Sequence, residues 1–242
     1  MTSWIVPNWP APASIEALST TRRGGVSDGV FQGLNLGNHV GDDPSRVLEN
    51  RKLLQEDAHL PAPPAWLNQV HGTEVMELPL SEGSVPDADA AYADKSGEVC
   101  CIMTADCLPV LFCSEDGQEV AAAHAGWRGL LDGVLENTLA KFTQPQNVMV
   151  WFGPAIGPDA FEVGPEVREQ FVARQPEAKV AFKPHNDRWL ADIYQLARLR
   201  LEAVGVSQIF GGEYCTHSDP ELFYSYRRDG KTGRQATLIW RR

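Results

Sequence analysis

No stretch of this chain approaches the roughly twenty apolar residues that a membrane-spanning helix needs, and its longest apolar runs are only strand-sized. A bilayer is therefore not an expected partner. Positive charge is also short, with 21 lysines and arginines against 32 aspartates and glutamates, a net charge of -11. That field repels polyphosphate and argues against nucleic acid as the main partner, although Arg22-Arg23 and Arg227-Arg228 are pairs large enough to hold a single phosphate. Residues 1–12 carry three prolines and no basic run followed by an apolar one. No secretory leader is expected there, and the cytoplasm is the expected compartment. Disulfides are not expected either, because the cysteines at 100, 101, 107, 113 and 215 are odd in number and four of them are crowded together. Cys100, Cys101 and Cys113 sit in apolar runs and read as small core residues. Repeats, low-complexity tracts and long charge runs are absent.

What is present is an ordinary globular balance, 43% hydrophobic and 22% charged, in a length that suits one domain over residues 1–242. Residues 99–103, 110–113, 120–124, 148–152 and 237–240 are short apolar runs rich in β-branched side chains and read as strands. From Trp127, apolar residues fall at 127, 130, 131, 134, 135 and 139, which predicts one amphipathic helix. Another is predicted from Pro165, just after Gly164, with Pro176 closing it. A third runs from the cap Asp192 through Ile193, Leu196, Ala197 and Val204 to a left-handed stop at Gly205. Asp43-Pro44 opens an earlier helix, while residues 61–64 and 81–89 read as loops. The sum is an α/β chain of the α+β kind, a layered sandwich of mixed β-sheets flanked by helices in a single domain.

Six histidines occur, at 39, 59, 71, 124, 185 and 217. A histidine by itself is more often a hydrogen-bonded structural residue than a ligand, so its surroundings must decide. His124 closes a predicted strand and precedes Ala125-Gly126, small neighbours at a strand end beside a helix start, where α/β proteins place ligands. His71 lies in Asn68-Gln69-Val70-His71-Gly72, a strand-like piece broken by glycine. Cys107 lies in Thr104-Ala105-Asp106-Cys107-Leu108-Pro109, a polar interruption between two buried strands. Buried without partners, Thr104 and Asp106 would each cost roughly 1–3 kcal/mol, so a polar site accounts for them better than a hydrophobic role for Cys107 does. A thiolate and two imidazoles suit zinc or copper and leave a tetrahedral ion one open position. The three residues are far apart in sequence with no paired spacing, so a metal-free arrangement in which His124 activates a Cys107 nucleophile stays open. Gly126-Trp127-Arg128-Gly129 opens the predicted helix, where free backbone N–H groups attract anions and Arg128 can add a bidentate contact. The competing role for Arg128 is a solvated side chain in a first turn that disfavours cations.

Those segments, together with residues 153–157 and 161–164, Cys215-Thr216, residues 223–229, Thr21-Arg22, Gly24-Gly25-Val26-Ser27 and Leu34-Asn35-Leu36-Gly37, resemble the bacterial YfiH and YlmD family. It is also called the laccase-domain or multicopper polyphenol oxidase family and includes mammalian FAMIN. The resemblance spans nearly the whole chain. It implies a layered α/β fold and a zinc ion held by His71, Cys107 and His124. It also implies phosphorolysis of adenosine, inosine, guanosine and methylthioadenosine, with adenosine deamination beside it. Copper-dependent phenol oxidation is an older label. A true multicopper oxidase would require on the order of ten histidines in paired motifs, and six scattered ones exclude it, leaving copper only as an alternative single occupant.

Phosphorolysis requires basic donors facing the metal, for which Arg22, Arg128 and Arg227 are the candidates, with Asn35 as a further substrate contact. Asp106 is the candidate proton shuttle, its competing role being to orient a ligand histidine. The His-x-Glu and Pro-Cys-x-x-Cys signature of zinc cytidine deaminases is absent, so any deamination would use a different scaffold. Two other classes remain beside the zinc enzyme acting on purine nucleosides and phosphate. One is a metal-free cysteine hydrolase or amidase acting on a cell-wall precursor through Cys107. The other is a protein that only binds metal or nucleotide.

Overall fold

Every residue of β5 (Val99–Thr104), β6 (Leu108–Ser114) and β7 (Val120–Ala125) is buried. Successive side chains of a strand point to opposite faces, so strands of this kind need cover on both sides. The computed structural model, which describes residues 3–242, supplies that cover by stacking two sheets and flanking them with helices. The first sheet is antiparallel, in the order β1 (Trp4–Ile5), β2 (Ile15–Thr20), β13 (Gln235–Arg241), β5. The second runs β12 (Gln208–Gly211), β8 (Val148–Phe152), β6, β7, β4 (Ala90–Ala93), β3 (Val75–Glu77). Its two edge pairs are parallel and the rest antiparallel. A small third sheet joins β10 (Phe182–His185), β11 (Arg188–Ala191) and β9 (Glu162–Val163).

Alternation then divides the side chains among three cores. Between the large sheets, Cys100, Ile102 and Ile239 meet Leu111, Cys113, Met149 and Trp151. On the outer face of the first sheet, Cys101, Met103 and Leu238 pack with Leu34, Leu36 and, from α1 (Pro44–Asp57), Leu54. On the outer face of the second, Val110, Phe112, Ala123 and Val150 pack under four helices. These are α2 (Trp127–Asp132), α3 (Val134–Leu139), α4 (Pro165–Arg174) and α5 (Ile193–Ala203). Fully burying each large apolar side chain contributes about 1.5–3 kcal/mol, so this layering is what the apolar strands require. The layered mixed sandwich expected from the sequence is the fold that forms.

Local signals act as read for three helices. Asp43 accepts the Ser45 N–H in front of Pro44, and Asp192 accepts the Gln195 N–H at the start of α5. Gly205 follows α5 with φ 93°, and α4 opens on Pro165 and ends before Pro176. The helix predicted as continuous from Trp127 is instead two, broken at Gly133 with φ 108°. Apolar periodicity reports which face is buried, and Leu130, Val134, Leu135 and Leu139 are buried on both sides of the break, so the pattern cannot register it. The strand predicted over residues 237–240 is longer and lies inside its sheet, between β2 and β5. Among the described residues, no helix is long and apolar enough to cross a membrane.

Candidate metal centre and its cavity

The β5–β6 connection carries the chain from one large sheet to the other, and Cys107 lies in it directly before β6. His124 lies near the end of the neighbouring strand β7, opposite Pro109, and His71 lies in the loop before β3. The ligand atoms of these three side chains all fall within 4.8 Å of one another. His71 Nε2 is 3.8 Å from Cys107 Sγ, and the two imidazoles meet edge to face with centroids 4.8 Å apart.

One buried carboxylate organises both histidines. Asp89 Oδ1 lies 2.7 Å from His124 Nδ1 and accepts the His71 main-chain N–H at 2.9 Å. Asp89 Oδ2 accepts the N–H groups of Gly72 at 2.6 Å and Val70 at 3.1 Å. An acceptor at Nδ1 fixes the proton there and leaves His124 Nε2 with its lone pair. Burial pushes the Asp89 carboxyl up, but the bond and charge of His124 and the two amides outweigh it and hold the pKa below the ordinary 3.8.

The main chain is bent at two points of the site. His71 has φ 62° and Asp106 φ 96°, left-handed values that cost a non-glycine residue about 1–3 kcal/mol and persist only where surroundings enforce them. Gly126 meets a spatial demand: a Cβ there would lie 2.6 Å from His71 Cδ2 and 3.3 Å from Cys107 Sγ. Burial alone would raise the Cys107 thiol, yet His124 and His71 together bring it down to about 6. His124 moves the other way: burial favours the neutral ring, and the Cys107 thiolate with Asp89 more than offsets it.

A thiolate within 4.8 Å of two imidazole nitrogens, one oriented through its far side by a buried carboxylate, is a donor set that fits a transition-metal ion with a position to spare. That spare side opens into a cavity of about 340 Å³. Met103, Trp127, Ile156 and Phe161 give it an apolar wall. His39, Gln69, Asp106, Arg227 and Arg234 give it a polar one. Gln69 is clamped to β5 by a donation to Met103 O at 2.7 Å and an acceptance from Met103 N at 2.8 Å. Asp106 Oδ1 accepts the Thr216 hydroxyl and Oδ2 the Arg227 N–H, each at 2.6 Å.

The fold thus brings His71, Cys107, His124, Asp106 and Arg227 to one cavity. It leaves the other expected contacts outside. Arg128 stacks over Trp127 at 4.3 Å and does not line the cavity. Arg22 stacks over Tyr224 at 4.7 Å, donates to Pro220 O and Gln32 O, and lines a separate open pocket. Asn35 is fully buried, donating to Asp42 and Gly37 and accepting the Arg234 N–H at 2.9 Å, so it holds main chain behind the polar wall. Sequence reading missed Asp89, His39, Gln69 and Arg234. Gln69 stood next to His71 in a quoted segment, but Asp89 lay at the end of a turn-rich stretch and Arg234 just ahead of a strand, with nothing local to mark either.

A family profile described as multi-copper polyphenol oxidoreductase laccase matches residues 16–242. Purine nucleoside phosphorylase YfiH of Escherichia coli (strain K12) is 56% identical over 241 residues, covering 99% of each chain. Purine nucleoside phosphorylase YlmD of Geobacillus stearothermophilus is 34% identical over 260 residues, covering 99% of this chain and 94% of its own. The crystal structure of a Neisseria meningitidis protein matches with a TM-score of 0.95 at 51% identity, over 98% of both chains. That of YlmD from Geobacillus stearothermophilus matches with a TM-score of 0.93 at 34% identity, over 99% of this chain and 96% of its own.

Proposed function

This chain belongs to the multi-copper polyphenol oxidoreductase laccase family, and from that premise we propose that it is a zinc-dependent purine nucleoside phosphorylase. It converts adenosine, inosine, guanosine or methylthioadenosine, with phosphate, to the free base and the ribose 1-phosphate (methylthioribose 1-phosphate from the last), and deaminates adenosine as a second activity. The observation that carries the reading is a three-ligand donor set opening into a nucleoside-sized cavity with one apolar and one cationic wall. Relatives named purine nucleoside phosphorylase at 56% identity over 99% of the chain support the substrate class.

His71, Cys107 and His124 would hold the zinc. When bound, the ion supplies a Lewis-acid centre with one coordination position open to the cavity. Copper would fit the same three donors. The chain's own residues do the rest. Trp127 and Phe161 offer aromatic faces for the purine, and the cationic wall draws phosphate against the sugar. A phosphate oxygen then bonds to the anomeric carbon while the bond from that carbon to the base breaks, its electron pair leaving with the base. A base departing with that pair needs a proton. Asp106 lines the cavity with lone pairs left over from its two hydrogen bonds and is the proposed relay, passing to the base the proton that the attacking hydrogen phosphate gives up.

The experiment is to quantify bound metal by mass spectrometry and follow adenosine by chromatography with and without phosphate. Adenine that appears only with phosphate, and is lost on chelation and regained with zinc, is the expected result. Inosine formed without phosphate reports the second activity. A metal-free cysteine hydrolase is the reading favoured by the lowered Cys107 thiol beside two imidazoles. Chelator-resistant hydrolysis abolished by thiol alkylation would establish it in place of the zinc enzyme.

A further inference from the structure

We infer that Arg234 is the residue that receives the phosphate oxyanion in the metal cavity; the identity of the anion rests on the phosphorylase reading, while the anion site itself does not. Arg234 directly precedes β13, and its main-chain N–H is tied to buried Asn35. Its Nη1 donates to Thr232 O at 3.1 Å and Gly233 O at 2.9 Å, which fixes the plane of the guanidinium. Among the described residues Nε and Nη2 have no hydrogen-bond acceptor and no carboxylate forms an ion pair with the guanidinium; Cys107 and Asp106 act on it by charge alone, without a hydrogen bond. A guanidinium partly withdrawn from water with half its fork unused is costly unless an anion completes it. Arg234 lines the cavity that also holds the three metal ligands.

Two neighbours complete the cradle. Thr104, only 2% exposed and lining the same cavity, has a hydroxyl with no partner, a donor left over for an oxyanion. His39 stands on the same wall; burial first, then the charges of Arg234 and Arg51, lower its pKa and favour the neutral ring, which can offer an N–H without repelling the arginine. Arg227 is the second cation of the wall, but its Nη1 is already given to Glu162 O at 2.8 Å and its side chain is exposed. A planar fork matches a tetrahedral oxyanion two oxygens at a time, which a lysine cannot reproduce.

The test is calorimetric titration of inorganic phosphate into the zinc-loaded full-length chain, comparing wild type with R234Q, R234K and R174Q. Arg174 is exposed at the end of α4, so R174Q removes the same charge away from the cavity. Phosphate affinity is expected to fall about 10- to 100-fold in R234Q, the loss of a charge-assisted bidentate contact. R234K should fall between R234Q and wild type, and R174Q should stay within about twofold of wild type. Affinity in R234Q within about twofold of wild type, at equal zinc content, overturns the inference. If R234Q folds or loads zinc poorly, R234K decides: unchanged phosphate affinity overturns the inference and weakened affinity upholds it. Wild type that binds phosphate through Arg234 yet releases no base from any purine nucleoside refutes the phosphorylase reading and leaves the anion site standing. Phosphate-dependent base release with an unchanged KM for phosphate in R234Q does the reverse.

Discussion

Cys101 and Cys107 lie on either side of one strand end, and their environments differ as far as a folded chain allows. Cys101 points from β5 into apolar packing, where burial drives its thiol to about 12, and Cys113 on β6 is raised likewise to about 12. Cys107 sits in the turn between those strands, where two imidazoles bring the thiol down to about 6. The strands are saturated with apolar contacts on both faces, so chemistry is confined to the place where the chain leaves one sheet for the other. There the main chain is left-handed at Asp106, side chains no longer alternate into a core, and polar neighbours become available.

The strongest way to break this comparison is to remove each thiol in turn. C107A should abolish stoichiometric metal and phosphate-dependent base release and bring the unfolding temperature down to about that of chelator-treated wild type, whereas C101A should keep full metal and lose about 1 kcal/mol of stability. Metal analysis and a denaturant titration on both variants read this out, and retained metal in C107A refutes the ligand assignment. Next in size, D89N should weaken zinc binding about 10- to 100-fold, because an amide can no longer accept from His124 and three backbone donors at once. The same carboxylate has a pH signature. Since its folded pKa is depressed, Asp89 contributes stability that is complete above its ordinary 3.8 and is lost as pH falls through the lower folded value. Wild type should therefore lose stability below pH 3.8 more steeply than D89N, as acid unfolding followed by circular dichroism would report.

A finer comparison concerns reactivity. In chelator-treated protein, iodoacetamide should label Cys107 with a midpoint near pH 6, losing rate as pH falls through that value, while Cys101 and Cys113 stay unlabelled at neutral pH. Peptide mapping after a short pulse distinguishes the three, and zinc should protect Cys107. The smallest effect belongs to the helical layer. G133A places a side chain at φ 108° and should cost about 1–2 kcal/mol in unfolding free energy, leaving zinc stoichiometry untouched. A loss of zinc in G133A would mean that the two regions are not as separate as the packing implies.

The sequence showed more of the first region than of the second. Apolar runs and caps such as Asp43 and Asp192 act locally, so strands and helix starts could be read one segment at a time. His71, Cys107 and His124 were legible because each interrupts or ends an apolar run beside glycine or proline. Asp89 was not, since its importance arises only when β4 pairs with β7, which sets it against His124, and with β3, whose preceding loop brings residues 70–72 to it. Arg234 likewise reaches the cavity because β13 pairs with β5, a long-range register that no local pattern announces. Arg22 and Arg128 drew notice as cations in recognisable motifs, yet each found an aromatic ring to lie on instead of the cavity.

The grip of Asp89 has a consequence for how an ion is acquired. Because one carboxylate clasps the main chain of the loop bearing the first histidine and the ring of the second, a single group holds the two residues in register. An incoming cation meets both in one encounter, together with a sulfur that already lies within 4.8 Å of their ligand atoms and is a thiolate above about pH 6.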